Sequence, residues 1–461
     1  MLFSSNVFLF VFLPCVLLLY TLVPRRLKNP VLLFFSLLFY GWGEPAYLLL
    51  MVAVIALDYL FGILIAKSRK SGKSAKLPLI LGLAANLLIL GFFKYAGFLV
   101  RSLHALIPAS RVLPVPEIPL PIGISFYIFQ SMSYVIDVYR GDAPVQRRLL
   151  PFATYVTLFP QLIAGPIVRY RDVADQLEER RESISGFASG VRLFTVGLSK
   201  KLLLANPAGQ LWELLQAQPG TLAAWVGIAA YTLQIYFDFS GYSDMARGLG
   251  RMLGFEFLEN FNYPYISRTV TEFWRRWHIS LSTWFREYVY IPLGGNRKGL
   301  ARQLLNLLIV WLLTGLWHGA SFNFLLWGAY YALLLIAEKC FLLKLLDRIP
   351  RIIGHVYTLF AVTLGWALFY FEDLAALGAF LQRLFTPAAT GAAGLGLILG
   401  YLPLLLAGTL ASTPFGKRLS ERWSDSPRWR IVRLVLIAAA LLLCAASLAS
   451  QSYNPFIYFR F

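Results

Sequence analysis

The chain has 461 residues, of which 58% are hydrophobic and only 14% charged, against about 25% charged in a soluble domain. That balance, with a mean hydropathy of +0.64, excludes a water-soluble globule of this size and indicates an integral membrane protein. The net charge of +19 sits in short loops between apolar runs, a membrane-topology pattern that argues against a nucleic-acid partner.

Apolar segments fall near residues 3–23, 31–43, 46–66, 77–93, 95–107, 120–138, 150–167, 187–205, 221–242, 303–318, 322–343, 353–371, 374–385, 393–411 and 430–449. About 20 apolar residues cross a bilayer as a helix, and backbone polar groups in lipid must bond internally. Several of these segments are too short to cross. The expected fold is therefore all-α and polytopic, with about 11 transmembrane helices plus re-entrant or interfacial helices. The run Met1–Pro24 carries no charge and lacks the basic n-region of a secretory signal, so it reads as a retained first helix. No internal repeat or low-complexity linker appears. Residues 1–449 are expected to form one membrane domain, and 450–461 an extracytoplasmic tail. Cys15, Cys340 and Cys444 all lie in apolar stretches and suggest neither disulfides nor a metal site.

Basic loops set the expected orientation. Arg25, Arg26 and Lys28 follow the first segment, and Lys67, Arg69, Lys70, Lys73 and Lys76 follow the third. Further arginines surround 150–167, and Lys417, Arg418, Arg422, Arg428 and Arg430 precede the last segment. Placing these in the cytoplasm leaves both termini outside. Residues 251–302 differ from the rest. They interleave arginine with tryptophan, as in Phe273-Trp274-Arg275-Arg276-Trp277-His278, which suits an interfacial or re-entrant helix.

Four histidines are present: His104, His278, His318 and His355. His318 lies within 35 uncharged residues, Gln303–Ala337, a run too short for two full spans of about 20 each. The turn after it should then sit below the membrane surface, with His318 at depth. An ionisable group there is a functional candidate, and desolvation favours the neutral imidazole that a general base requires. A hydrogen-bonded interhelical histidine remains the other reading. His278 is expected near the same cavity, with interfacial packing as its alternative, while His104 and His355 are incidental. Asp238 and Asp244 are embedded carboxylates that need partners, with arginine the first expectation. Nothing resembles a zinc, phosphate-loop or hydrolase-elbow motif.

Two stretches, Phe273–Ser282 and Gly315-Leu316-Trp317-His318-Gly319, resemble the signature histidine regions of the membrane-bound O-acyltransferase (MBOAT) superfamily. Asp238–Asp244, Phe159–Ile167 and Tyr290-Ile291-Pro292-Leu293-Gly294-Gly295-Asn296-Arg297 resemble its bacterial branch. The ending Ser452–Phe461 is similar to that of the alginate O-acetyltransferase membrane-subunit group. The resemblance implies an MBOAT fold around a central funnel, in a multi-pass protein of the bacterial inner (plasma) membrane. It implies His318 as the catalytic histidine and His278 as the second signature histidine. It further implies a thioester donor, acetyl-CoA or a carrier-protein thioester, reached from the cytoplasm, with no bound cofactor or metal. Beyond surrounding membrane lipid, the implied partners are an extracytoplasmic SGNH-type acetyltransferase and a polysaccharide acceptor such as alginate. Arg275, Arg276, Arg297 and Arg302 are expected on the donor side, with Asp238, Asp244 and Asn296 as supporting polar groups. Tyr458, in the aromatic tail, is expected either to relay the acyl group or to anchor the tail at the interface. D-alanyl transfer to teichoic acid on the same scaffold and a non-enzymatic transporter are the alternatives.

Overall fold

A computed structural model of the chain describes residues 1–107, 113–163, 165–423, 426–450 and 457. Among the described residues every regular element is helical. Six helices are long and apolar enough to cross a membrane: Leu48–Lys70, Lys76–Leu106, Thr221–Met252, Leu300–His318, Arg351–Tyr370 and Pro427–Ser450. The pair Ala392–Gly400 and Leu402–Ala411, bent by 47°, makes a seventh if it is one span. The expected count of about 11 is thus not reached by length and composition. Part of the shortfall is shorter apolar helices such as Phe8–Leu22 and Leu374–Phe385.

Two expected segments, 77–93 and 95–107, are one continuous helix of 31 residues, Lys76–Leu106. The lysine between them does not break it. Lys94 is buried, and its ammonium donates to the Ser125 hydroxyl at 3.3 Å. A charge inside the protein needs such a partner; it need not mark a loop.

The chain divides into two compact units, Met1–Phe194 with Met245–Leu258, and Thr195–Asp244 with Glu259–Phe461. In the first, the Ile124–Arg140 helix packs against Leu48–Lys70 and Lys76–Leu106. Its polar residues Gln130, Ser131, Ser133 and Asp137 are buried rather than wet. Ser131, with the Asn86 amide at 2.7 Å, donates to the buried Asp58 carboxylate. Such bonds make a polar helix affordable in the interior.

The second unit is built on an aromatic core. Trp274 packs edge-on against Trp311 (4.7 Å between ring centres), Tyr331 (4.8 Å) and Trp327 (5.5 Å). Beside it, Leu300–His318 and Phe322–Ala337 form a tight helical hairpin. Two glycines permit its closeness. A Cβ on Gly315 would lie 2.2 Å from the Phe324 carbonyl oxygen, and one on Gly328 would lie 2.4 Å from that of Trp311. Small residues at crossing points are how helices approach in membranes, where the hydrophobic effect adds little.

Candidate active site

The uncharged run Gln303–Ala337 becomes the hairpin Leu300–His318 and Phe322–Ala337, joined only by Gly319, Ala320 and Ser321. So short a connection leaves His318 as the last residue of its helix, where it is 6% exposed. Its imidazole is enclosed by rings: Trp317 and Trp327 at 5.0 Å and Phe369 at 5.1 Å, all near-perpendicular.

His278 arrives from a broken helix. The expected re-entrant segment is two seven-residue helices, Val270–Arg276 and Ile279–Phe285. The buried Glu338 carboxylate starts the first, accepting from the Val270 amide (2.6 Å), the Thr271 amide (2.8 Å) and the Thr271 hydroxyl (2.6 Å). The break falls at His278, whose φ of 45° and ψ of 54° are left-handed. A side chain there is strained, and strain of this kind gathers at functional positions. Asn260 holds the imidazole: its Oδ1 lies 3.1 Å from His278 Nδ1 and accepts from the Ser280 amide (3.2 Å) and hydroxyl (2.9 Å). The Asn260 amide donates in turn to Ser243 at 3.1 Å. Phe239 sits perpendicular to the imidazole at 4.7 Å.

The two histidines, 40 positions apart in sequence, line one cavity of about 270 Å³ together with Trp274, Arg275, Thr314 and Tyr290. An imidazole lining a half-open, largely apolar cavity is placed to take a proton from a hydroxyl.

Comparison with known proteins points the same way. Residues 143–348 match the profile of MBOAT, the membrane-bound O-acyltransferase family. The chain is 43% identical to the probable alginate O-acetylase AlgI of Azotobacter vinelandii, over 100% of both chains. It is 33% identical to the peptidoglycan O-acetyltransferase of Helicobacter pylori, over 81% of this chain and 78% of that one. With the teichoic acid D-alanyltransferase of Bacillus subtilis it shares 26% identity, over 54% of this chain and 69% of that one.

The chain belongs to the membrane-bound O-acyltransferase family. It is a multi-pass membrane O-acyltransferase, which removes the transporter alternative.

Within this acyltransferase the other expected site residues are distributed unevenly. Arg275 is exposed and lines the histidine cavity. Arg276 turns to Glu272 (2.9 Å) and to the Asn262 carbonyl (3.1 Å). Arg297 and Asn296 are exposed in the turn before Leu300–His318, and Arg302 donates to the Leu293 carbonyl at 3.1 Å. None of Arg276, Arg297, Arg302 or Asn296 lines that cavity. The asparagine bound within that turn is Asn306, whose amide donates to the Gly295 carbonyl at 2.9 Å.

Asp238 corrects the expectation of an arginine partner. It pairs with Lys201 at 2.5 Å, and both side chains are almost fully buried. Its second oxygen accepts from the Ile457 amide at 2.9 Å. Asp244 pairs with Lys200 at 2.6 Å. The two lysines stand together in the π-helical turn Lys200–Ala205, inside the apolar stretch 187–205. Two adjacent lysines within an apolar segment were the signal for this contact. Ile457 is buried in the aromatic core of the second unit. Tyr458 lies outside the described residues. Asn260 and Glu338 escaped the sequence reading. Arg286 belongs to the arginine-rich stretch but was not singled out as a site residue, and it lines the histidine cavity.

Proposed function

We propose that this enzyme transfers an acetyl group from a cytoplasmic thioester, acetyl-CoA, to an extracytoplasmic acceptor, for O-acetylation of an exopolysaccharide of the alginate kind. The observation that carries the chemistry is the cavity shared by His278 and His318. End-to-end similarity to relatives named as probable alginate O-acetylases supports the acetyl group and the polysaccharide. Similarity to the D-alanyltransferases is lower and covers about half of the chain.

In the reaction, His318 is the base. Its imidazole accepts the proton as the acceptor oxygen attacks the thioester carbonyl carbon. The tetrahedral intermediate then collapses with cleavage of the carbon–sulfur bond, and the departing thiolate takes the proton back. His278, held by Asn260, orients the reacting groups, and Arg275 and Arg286 favour an anionic donor. The first acceptor is the Tyr458 hydroxyl, which hands the acyl group to an SGNH-type partner outside. The neighbouring Ile457 amide, which donates to the buried Asp238, supports this reading. A phenol, with an ordinary pKa of about 10, also leaves as an aryl oxide more readily than a sugar alkoxide does. The enzyme resides in the bacterial inner membrane with both termini outside, as the basic loops argue.

Incubating the purified protein with labelled acetyl-CoA tests this. Label is expected on the protein, lost in Tyr458→Phe and in His318→Ala. Labelling only from a D-alanyl carrier-protein thioester would assign the enzyme to the other branch.

A further inference from the structure

The first compact unit holds a cavity of about 630 Å³, within the range of about 300–1,000 Å³ typical of small-molecule sites. Its cations are Arg25, Arg26, Lys28, Arg148 and Arg180, and its acids are Glu178 and Glu182. Both acids are already engaged. Glu182 pairs with Lys28 and accepts from the Tyr20 hydroxyl at 2.6 Å. Glu178 pairs with Arg148 at 2.8 Å and accepts from the Gln146 amide at 3.2 Å. Hydrogen bonding from Arg148 holds the Glu178 carboxyl below its usual range.

Three guanidinium groups remain in excess. The Arg180 side chain is only 6% exposed, and it donates to four neutral oxygens: Tyr20 Oη at 2.7 Å, Asn29 Oδ1 at 2.8 Å and the Leu177 and Gln176 carbonyls at 3.4 and 3.5 Å. Its closest carboxylate oxygen, on Glu182, is 3.9 Å away. Arg25 donates to the Glu178 carbonyl at 3.2 Å. Arg25 and Arg26 are both exposed. The extended Pro24 begins the Arg25–Gly41 helix, so Arg25, Arg26 and Lys28 crowd a first turn that carries no acid of its own. That placement opposes the helix dipole, which favours anions at this end. Around the same positions Leu22, Leu27 and Leu149 are 72%, 48% and 49% exposed, as side chains facing acyl chains would be.

We propose that this cavity binds the phosphate of an anionic phospholipid headgroup, with Arg25, Arg26 and Arg180 as its ligands and the neighbouring leucines against the acyl chains. Basic pockets at the membrane surface favour such headgroups, and a phosphate there would give the buried guanidinium a close anionic partner and complement the helix end.

The test is native mass spectrometry of the full-length protein in detergent with phosphatidylglycerol or phosphatidylcholine of identical acyl chains. Phosphatidylglycerol is expected to stay bound while phosphatidylcholine is stripped, and Arg25→Gln with Arg26→Gln should reduce the bound fraction about tenfold. These exposed positions are chosen because replacing buried Arg180 risks misfolding, and an unchanged melting temperature without lipid verifies the fold. Equal retention of the two lipids, or full retention by the double variant, would overturn the proposal. A third arm adds excess inorganic phosphate. Persistence of the lipid supports a headgroup site; its displacement by phosphate would assign the cavity to a soluble phosphate compound and sink the lipid reading.

Discussion

His318 and His278 occupy one cavity by different means, and their substitutions should differ accordingly. His318 is gripped by rings, so His318→Ala should leave a folded protein whose acyl transfer falls by roughly 10²–10⁴-fold, the usual contribution of one general base. A loss of only a fewfold in a radiolabel assay would remove it from the mechanism. His278 is held by Asn260. Asn260→Ala should lower kcat with little change in KM, because orientation matters most in the transition state. Asn260→Asp, which keeps an oxygen for His278 Nδ1, should restore part of the rate. Arg275 lines the cavity whereas Arg276 is spent on Glu272. Arg275→Gln is therefore expected to raise KM for an anionic thioester more than Arg276→Gln does, with a difference that shrinks as salt rises.

At the level of elements, the hairpin positions His318 and Asp238 holds the Ile457 amide. Gly315 leaves no room for a methyl group beside the Phe324 carbonyl. Gly315→Ala should destabilise the protein by about 1–3 kcal/mol, as overpacking does, and should reduce activity by shifting His318, three residues on. Thermal unfolding in detergent measures the first effect and the labelled assay the second. A stable, fully active Gly315→Ala would mean that the helices part without disturbing the histidine. Of the C-terminal residues, Ile457 rests on Asp238. Asp238→Asn leaves Lys201 buried without its counter-charge, a loss of about 3–5 kcal/mol for a broken buried pair, and weakens the acceptor of the Ile457 amide. Carboxypeptidase should then trim the C-terminus faster than in the unaltered enzyme. Equal trimming would show that other contacts hold the tail.

For the whole molecule the decisive question is which side each terminus occupies. Counting basic loops puts both outside. A reporter enzyme active only outside the cytoplasm, fused after Phe461, should therefore be active, and the same reporter inserted after Lys73 should be silent. The reverse result would invert the donor and acceptor sides and move Tyr458 out of reach of an extracytoplasmic partner.

Membrane residence, helical class and the two histidine regions were legible in the residues alone, because uncharged length and local motif are properties of neighbouring positions. The span count was not, because apolarity does not distinguish a helix in lipid from one buried in protein. Lys94 was mistaken for a break because its partner, Ser125, lies 31 positions away. Asn260 and Glu338 were invisible for the same reason: each acts on backbone or side-chain groups 18 to 68 residues distant. Sequence determined which groups had to be buried and paired, whereas tertiary structure decided which partner each received, since a buried polar group bonds to whatever the packing of distant helices brings within about 3 Å.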